Sequence, residues 1–176
     1  MTFCLGNYLL NHCVLTYMAT IAEAVAKGVL EKVPLPEWEK RQPIRMLYAT
    51  PEFLDAIECD EGLHDTSNKS GGKSLYEHLW QMLRDFRCAK RPGAGDLRRM
   101  EPTKKGVWTM RPTKLRLYGW VPAPHSFVIV DWAYETETKD DKSLNDKKRD
   151  AVLMFIKTSK LENTKQLGDI LALFPH

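Results

Sequence analysis

The chain has 176 residues, 43% of them hydrophobic and 28% charged, which fits one globular domain of moderate size and excludes collagenous, coiled-coil and wholly disordered chains. Its formal charge of +3 is too small to mark a nucleic-acid binder by itself. The cysteines at positions 4, 13, 59 and 88 form no C-x-x-C pair and no disulfide rhythm, so reduced thiols, a cytoplasmic location and no metal or other cofactor are expected.

Residues 1–22 carry no formal charge. Asn7, Asn11, His12, Thr16 and Thr20 interrupt the apolar run, and no Lys or Arg precedes it, so neither a membrane span nor a secretory signal is expected. The segment reads either as part of an N-terminal extension or as an over-called stretch ahead of a true start at Met18. Residues 19–32 follow, rich in Ala, Val and Leu, with Glu23, Lys27 and Glu31 spaced four apart, and predict an amphipathic helix. Pro34 and Pro36 stop it, and the stretch to Pro43 reads as a linker. Residues 1–42 are therefore assigned to a helical extension, 43–160 to the main domain and 161–176 to a C-terminal tail.

In the main domain, residues 44–49 predict a strand and Thr50-Pro51-Glu52 a helix start, with Phe53, Leu54 and Ile57 as its buried stripe. Residues 52–65 hold six carboxylates and no Lys or Arg. Gly71-Gly72-Lys73-Ser74 imitates the end of a phosphate-binding P-loop, but Ser67 stands where that motif needs its first glycine. Ser74-x-x-Glu77 is better read as a capping box, opening a helix whose Leu75, Leu79, Met82, Leu83 and Phe86 face the core and which ends near Cys88. After the break at 92–95, residues 107–111, 115–121 and 126–133 read as three strands with antiparallel neighbours. A charged loop leads to Ser143 as N-cap of a helix with Ala151, Val152, Phe155 and Ile156 on its apolar face. The tail places Leu167, Ile170, Leu171 and Phe174 at helical spacing.

The charge is unevenly distributed. Residues 84–116 contain eleven basic and three acidic side chains, a local balance of +8 that leaves −5 for the rest. A two-residue turn at Pro112-Thr113 sets Arg111 opposite Lys114, Thr109 opposite Arg116 and Val107 opposite Tyr118. Alternation then gathers Lys114, Arg116, Tyr118 and Trp120 on one face and sends Leu115, Leu117 and Val121 to the other. With Arg98, Arg99, Lys104 and Lys105 just upstream, such a face suits RNA, because guanidinium groups grip phosphate and aromatic rings stack on unpaired bases. The plainer alternative is a solvated strand face. Trp108 and Trp132 are expected in the core, and His125 in a loop.

The order strand, helix, helix, basic loop, three antiparallel strands and helix, with Trp108-x-x-Arg111, Arg116-x-Tyr118 and the apolar strand 127–131, resembles the RelE/ParE toxin superfamily, including its phage-borne HigB-like branch. The resemblance spans about residues 43–157. It implies an α+β fold, a small antiparallel sheet packed by helices, and a toxin-type protein that cuts messenger RNA at the ribosome without a metal. An antitoxin protein is the implied partner. Arg111 and Arg116 match family arginines, Arg116 being the better match for phosphate stabilisation, and Tyr118 matches an aromatic position; these are the implied catalytic residues, while the basic and aromatic face described above offers Arg98, Arg99, Lys104, Lys105, Lys114 and Trp120 as RNA-binding residues. The chain departs from the family at Val107 and Thr109, where RelE-type nucleases place lysines, and at residues 134–137, which read Tyr-Glu-Thr-Glu in place of a basic pair. Tyr134, Lys104 and Lys105 are the groups available as substitutes. The departures motivate an alternative, a catalytically silent module of the same fold that engages an antitoxin-like or host protein. General RNA binding without cleavage is a third reading.

Overall fold

The computed structural model describes residues 21–34, 45–65, 67, 72–88 and 95–161. The uncharged opening up to Thr20, most of the Pro-containing linker, Gly71, Pro92-Gly93-Ala94 and the tail beyond Leu161 lie outside the described residues. Helix α1 is described over residues 21–26. The chain then turns at Gly28, whose φ of +70° suits a residue without a Cβ. The two residues Glu31–Lys32 form β1, an edge strand antiparallel to β2 (Met46–Ala49). The helix expected over 19–32 thus ends earlier, because the strand supplies backbone partners that a longer helix would forgo.

Thr50 caps α2 (Pro51–Cys59), accepting from the Phe53 N–H at 3.2 Å, and Pro51 occupies the first turn as expected. Asp60 caps α3 (Glu61–His64), a short helix within the acidic stretch that periodicity did not reveal. Both halves of the Ser74–Glu77 capping box are formed at the start of α4 (Leu75–Arg87): Ser74 Oγ accepts from Glu77 N at 3.2 Å, and Glu77 Oε2 accepts from Ser74 N at 2.6 Å. Gly72-Lys73-Ser74 therefore opens a capped helix, with the Ser74 hydroxyl engaged by the backbone.

Four strands follow: β3 (Leu97–Arg99), β4 (Val107–Met110), β5 (Leu115–Trp120) and β6 (Ser126–Tyr134). The sheet order is β1-β2-β6-β5-β4-β3. All neighbours are antiparallel except β2 and β6, which run parallel, so the small antiparallel sheet of the expectation is in fact a six-stranded mixed sheet in an α+β fold. β3 lies where a basic loop was expected. The charged segment after β6 forms α5 (Glu135–Asp140), and α6 (Leu144–Thr158) runs past Phe155. Ser143 precedes α6 but its hydroxyl donates to Asp141 Oδ1 and does not cap the helix.

Helices cover both sheet faces. On the first face, α2, α3 and α4 bury Phe53, Ile57, Leu63, Leu79 and Leu83 against Leu47, Trp108, Met110, Leu115 and Leu117. On the second, α1 and α6 bury Ile21, Val152 and Ile156 against Tyr48, Val107, Tyr118, Trp120 and Val128. Ala151 is exposed, and Arg149 takes the place on the buried stripe, donating to the Glu101 carbonyl at 2.9 Å. A bulge at Val130 shifts the β5–β6 register between Tyr118↔Asp131 and Gly119↔Ile129. This extra residue brings Asp131 and Ala133 round to the face of Tyr118, although Phe127 and Ile129 point to the first core. Trp108 is buried as expected, and Trp132 is partly buried against the first core. His125 sits at φ +61° in the loop before β6.

Candidate functional site

The site is built at the β4–β5 turn. Leu115 N donates to Pro112 O at 3.0 Å, so Thr113 and Lys114 are the central turn residues, with Lys114 at φ +58°. Thr109 consequently faces Tyr118, and Val107 faces Trp120. The expected register, with Thr109 opposite Arg116, is displaced by two residues. A displacement of two preserves the side-chain faces, whereas a displacement of one would invert them. The same register brings Arg111 level with Arg116 in place of Lys114.

On the other side of β4, Arg98 pairs with Thr109, whose hydroxyl donates to the Arg98 carbonyl at 3.3 Å, and Arg111 N donates to Asp96 O at 2.7 Å. Arg98, Arg111 and Arg116 are thus held on one side of three adjacent strands. Burial pushes the Arg111 guanidinium below its ordinary pKa, and Arg116 and Arg98 push in the same direction against Glu135 and Tyr118. The Nε atoms of Arg111 and Arg116 are buried without a hydrogen-bond partner among the described residues. Arg116 Nη2 lies 3.8 Å from Glu135 Oε1, which also lies 3.3 Å from Lys139 Nζ. Glu135 is thus shared between Arg116 and Lys139 and acts also on Arg111, and a bound anion would complement this concentration of cations. Glu135 is fixed through its backbone, its N–H donating to Lys114 O at 2.8 Å.

The other expected site residues are distributed differently. Tyr118 is fully buried beneath α6, and its hydroxyl donates to Asn145 Oδ1 at 2.8 Å. Its pKa is pushed up to about 12, chiefly by burial. Trp120 is also fully buried, 6.1 Å from the Phe155 ring, so neither ring is a stacking platform on an open face. The expectation failed because α6 covers the sheet face that alternation had assigned to solvent. Arg99 lies on the opposite face, its Cζ 4.8 Å from the Trp108 ring centroid. Lys104 and Lys105 form a 3-10 turn before β4, the whole strand away from Arg111, and Lys105 pairs with Asp150 at 3.3 Å. Lys114 is exposed at the turn beside the arginines. Tyr134, the candidate substitute, donates to Asp60 Oδ1 at 2.5 Å; burial and that carboxylate raise its pKa.

Glu135, Asn145 and the Asp131–Lys148 pair at 2.8 Å are the parts of this environment not assigned from sequence. Glu135 was visible only as a departure from a basic pair, and Asn145 carries no local signal because its role depends on how α6 docks. Among the described residues no helix is long and apolar enough to cross a membrane, and no group of three or more His, Cys, Asp or Glu is placed to hold a metal ion. Compared with protein-family models, curated proteins and solved structures, the chain matches none.

Proposed function

We propose that the protein is a RelE/HigB-like toxin-type protein that grips the phosphodiester backbone of messenger RNA and cuts it without a metal. The observation that carries this reading is the Arg98–Arg111–Arg116 cluster, in which burial, Arg116 and Arg98 lower the Arg111 pKa and Glu135 pairs with Arg116. The element order of the main domain supports it as well: a strand, helices, and an antiparallel meander, here of four strands, followed by two helices. In such a cleavage the RNA 2′-OH attacks the adjacent phosphorus as the 5′-oxygen leaves, and arginines stabilise the charge that develops on the phosphoryl oxygens. In a translating extract the protein is expected to yield cut messages, and Arg116→Ala to leave them intact. Uncut messages at high concentrations of the unaltered protein would overturn the nuclease reading.

One observation favours the second reading, a catalytically silent module of the same fold. Tyr118, the implied catalytic aromatic residue, is sealed beneath α6 with its hydroxyl held by Asn145. Salt-sensitive RNA binding by the purified protein without cleavage would select RNA recognition alone. Absence of RNA binding together with a stoichiometric protein partner would select a protein-binding module.

A further inference from the structure

A cleft of about 310 Å³ opens between α4 and the end of β4. Its volume falls at the lower end of the roughly 300–1,000 Å³ typical of small-ligand clefts. Met82, Phe86 and Pro112 supply apolar lining, and Gln81, Asp85 and Asp96 supply polar lining. Arg111 belongs to the same lining, so the cleft adjoins the arginine cluster across the sheet edge. The side chains on α4 are ordered among themselves: Gln81 Nε2 donates to Asp85 Oδ1 and Oδ2 at 3.1 and 3.0 Å, and Arg84 Nε lies 3.7 Å from Asp85 Oδ1.

We infer that this cleft takes an unstacked nucleobase of the RNA strand whose phosphate the arginine cluster holds, with guanine as the preferred base. The inference rests on the RNA reading above and adds the identity of the base. A base needs apolar surface against its faces and hydrogen-bonding groups at its edge, the combination found here. Carboxylates only accept hydrogen bonds and offer about four lone-pair sites each. Guanine presents two adjacent donors, N1–H and the N2 amino group, to one carboxylate, whereas uracil presents N3–H alone and adenine and cytosine one exocyclic amine. A cationic peptide would also suit the two aspartates, but Arg111, Arg98 and Arg116 at the adjoining edge oppose it and favour a ligand that carries a phosphate beside its donor edge.

The test is fluorescence anisotropy of the full chain with single-stranded octamers of uridine carrying one central guanine, hypoxanthine, adenine or cytosine. The guanine octamer is expected to bind about tenfold more tightly than the others, and hypoxanthine, which lacks the N2 amino group, to lose most of that gain. Thr113→Trp fills the cleft from an exposed turn position and should abolish the preference, so that all the octamers bind alike and remain salt-sensitive. Asp96→Asn should weaken the preference with no change of volume. Equal salt-sensitive binding of all octamers, or an undiminished preference in both variants, would overturn the base-cleft inference alone. No binding of any octamer at low salt would overturn the RNA reading with it, and tighter binding of an oligoarginine peptide would assign the cleft to a protein partner.

Discussion

At the scale of single residues, Arg111 and Arg116 differ from the other cations of the basic segment in what surrounds them. Lys105 is paired with Asp150 and Arg99 rests on Trp108, whereas Arg111 and Arg116 lie within electrostatic reach of each other, with Glu135 acting on both. An arginine in that condition offers an anion a fork already shaped by its surroundings. Arg116→Lys keeps the charge and loses the fork, so its RNA affinity is expected to fall about tenfold, measured by anisotropy at fixed salt. Tyr118 gives a separate, titratable prediction. Its pKa of about 12 in the fold exceeds the value of about 10 in an unfolded chain, so the folded state keeps its proton where the unfolded state loses it. The associated stability is fully present below pH 10 and is lost as pH rises toward 12, by about 2 kcal/mol. Urea melts between pH 9 and 12 should show that loss, and Tyr118→Phe should flatten it. Arg111 and Arg116 could be picked out in the sequence from their strand pattern. The burial of Tyr118 could not, because it depends on a helix 26 residues further along the chain, whose first residue is Leu144.

At the scale of elements, local chemistry was the readable part. Thr50 and Ser74 cap the helices they were expected to cap, because a capping side chain satisfies backbone donors within its own turn. Replacing Ser74 with Ala should cost about 1 kcal/mol in a denaturant melt. Register was less readable. The turn at Thr113-Lys114 in place of Pro112-Thr113 displaced the β4–β5 pairing by two residues, and only the even size of that displacement kept the arginines together. The Val130 bulge left no periodic signature, yet it decides which residues of β6 face Tyr118. Gly119 lies at that bulge, where an added Cβ would stand 1.8 Å from the Val128 carbonyl oxygen on the neighbouring strand. Gly119→Ala should therefore force β5 and β6 apart and cost at least about 3 kcal/mol. A thermal melt close to that of the unaltered protein would contradict this account of the bulge.

At the scale of the whole molecule, the sheet sets the acidic stretch and the arginine cluster on opposite faces. The acidic stretch 52–65 folds into α2 and α3 against the first face, while Arg98, Arg111 and Arg116 stand on the second, so a modest net charge of +3 coexists with a strongly positive edge. An edge of that kind accelerates the approach of a polyanion, and the exposed and the half-buried cations should contribute to different rates. Lys114 is exposed at the turn tip and sees the incoming strand before contact; Arg111 is half-buried and meets the phosphate only once it is seated. Lys114→Glu is therefore expected to lower the association rate about three- to tenfold with little change in dissociation. Arg111→Ala should instead raise the dissociation rate about tenfold or more, because it removes charge-assisted hydrogen bonds made only in the complex. Stopped-flow measurements with a short single-stranded RNA at two salt concentrations separate these effects. The salt slope of the equilibrium constant should also shrink by about 0.7 for each phosphate contact removed. If both substitutions act only on association, the arginines serve as a diffuse field and do not form a seat for phosphate.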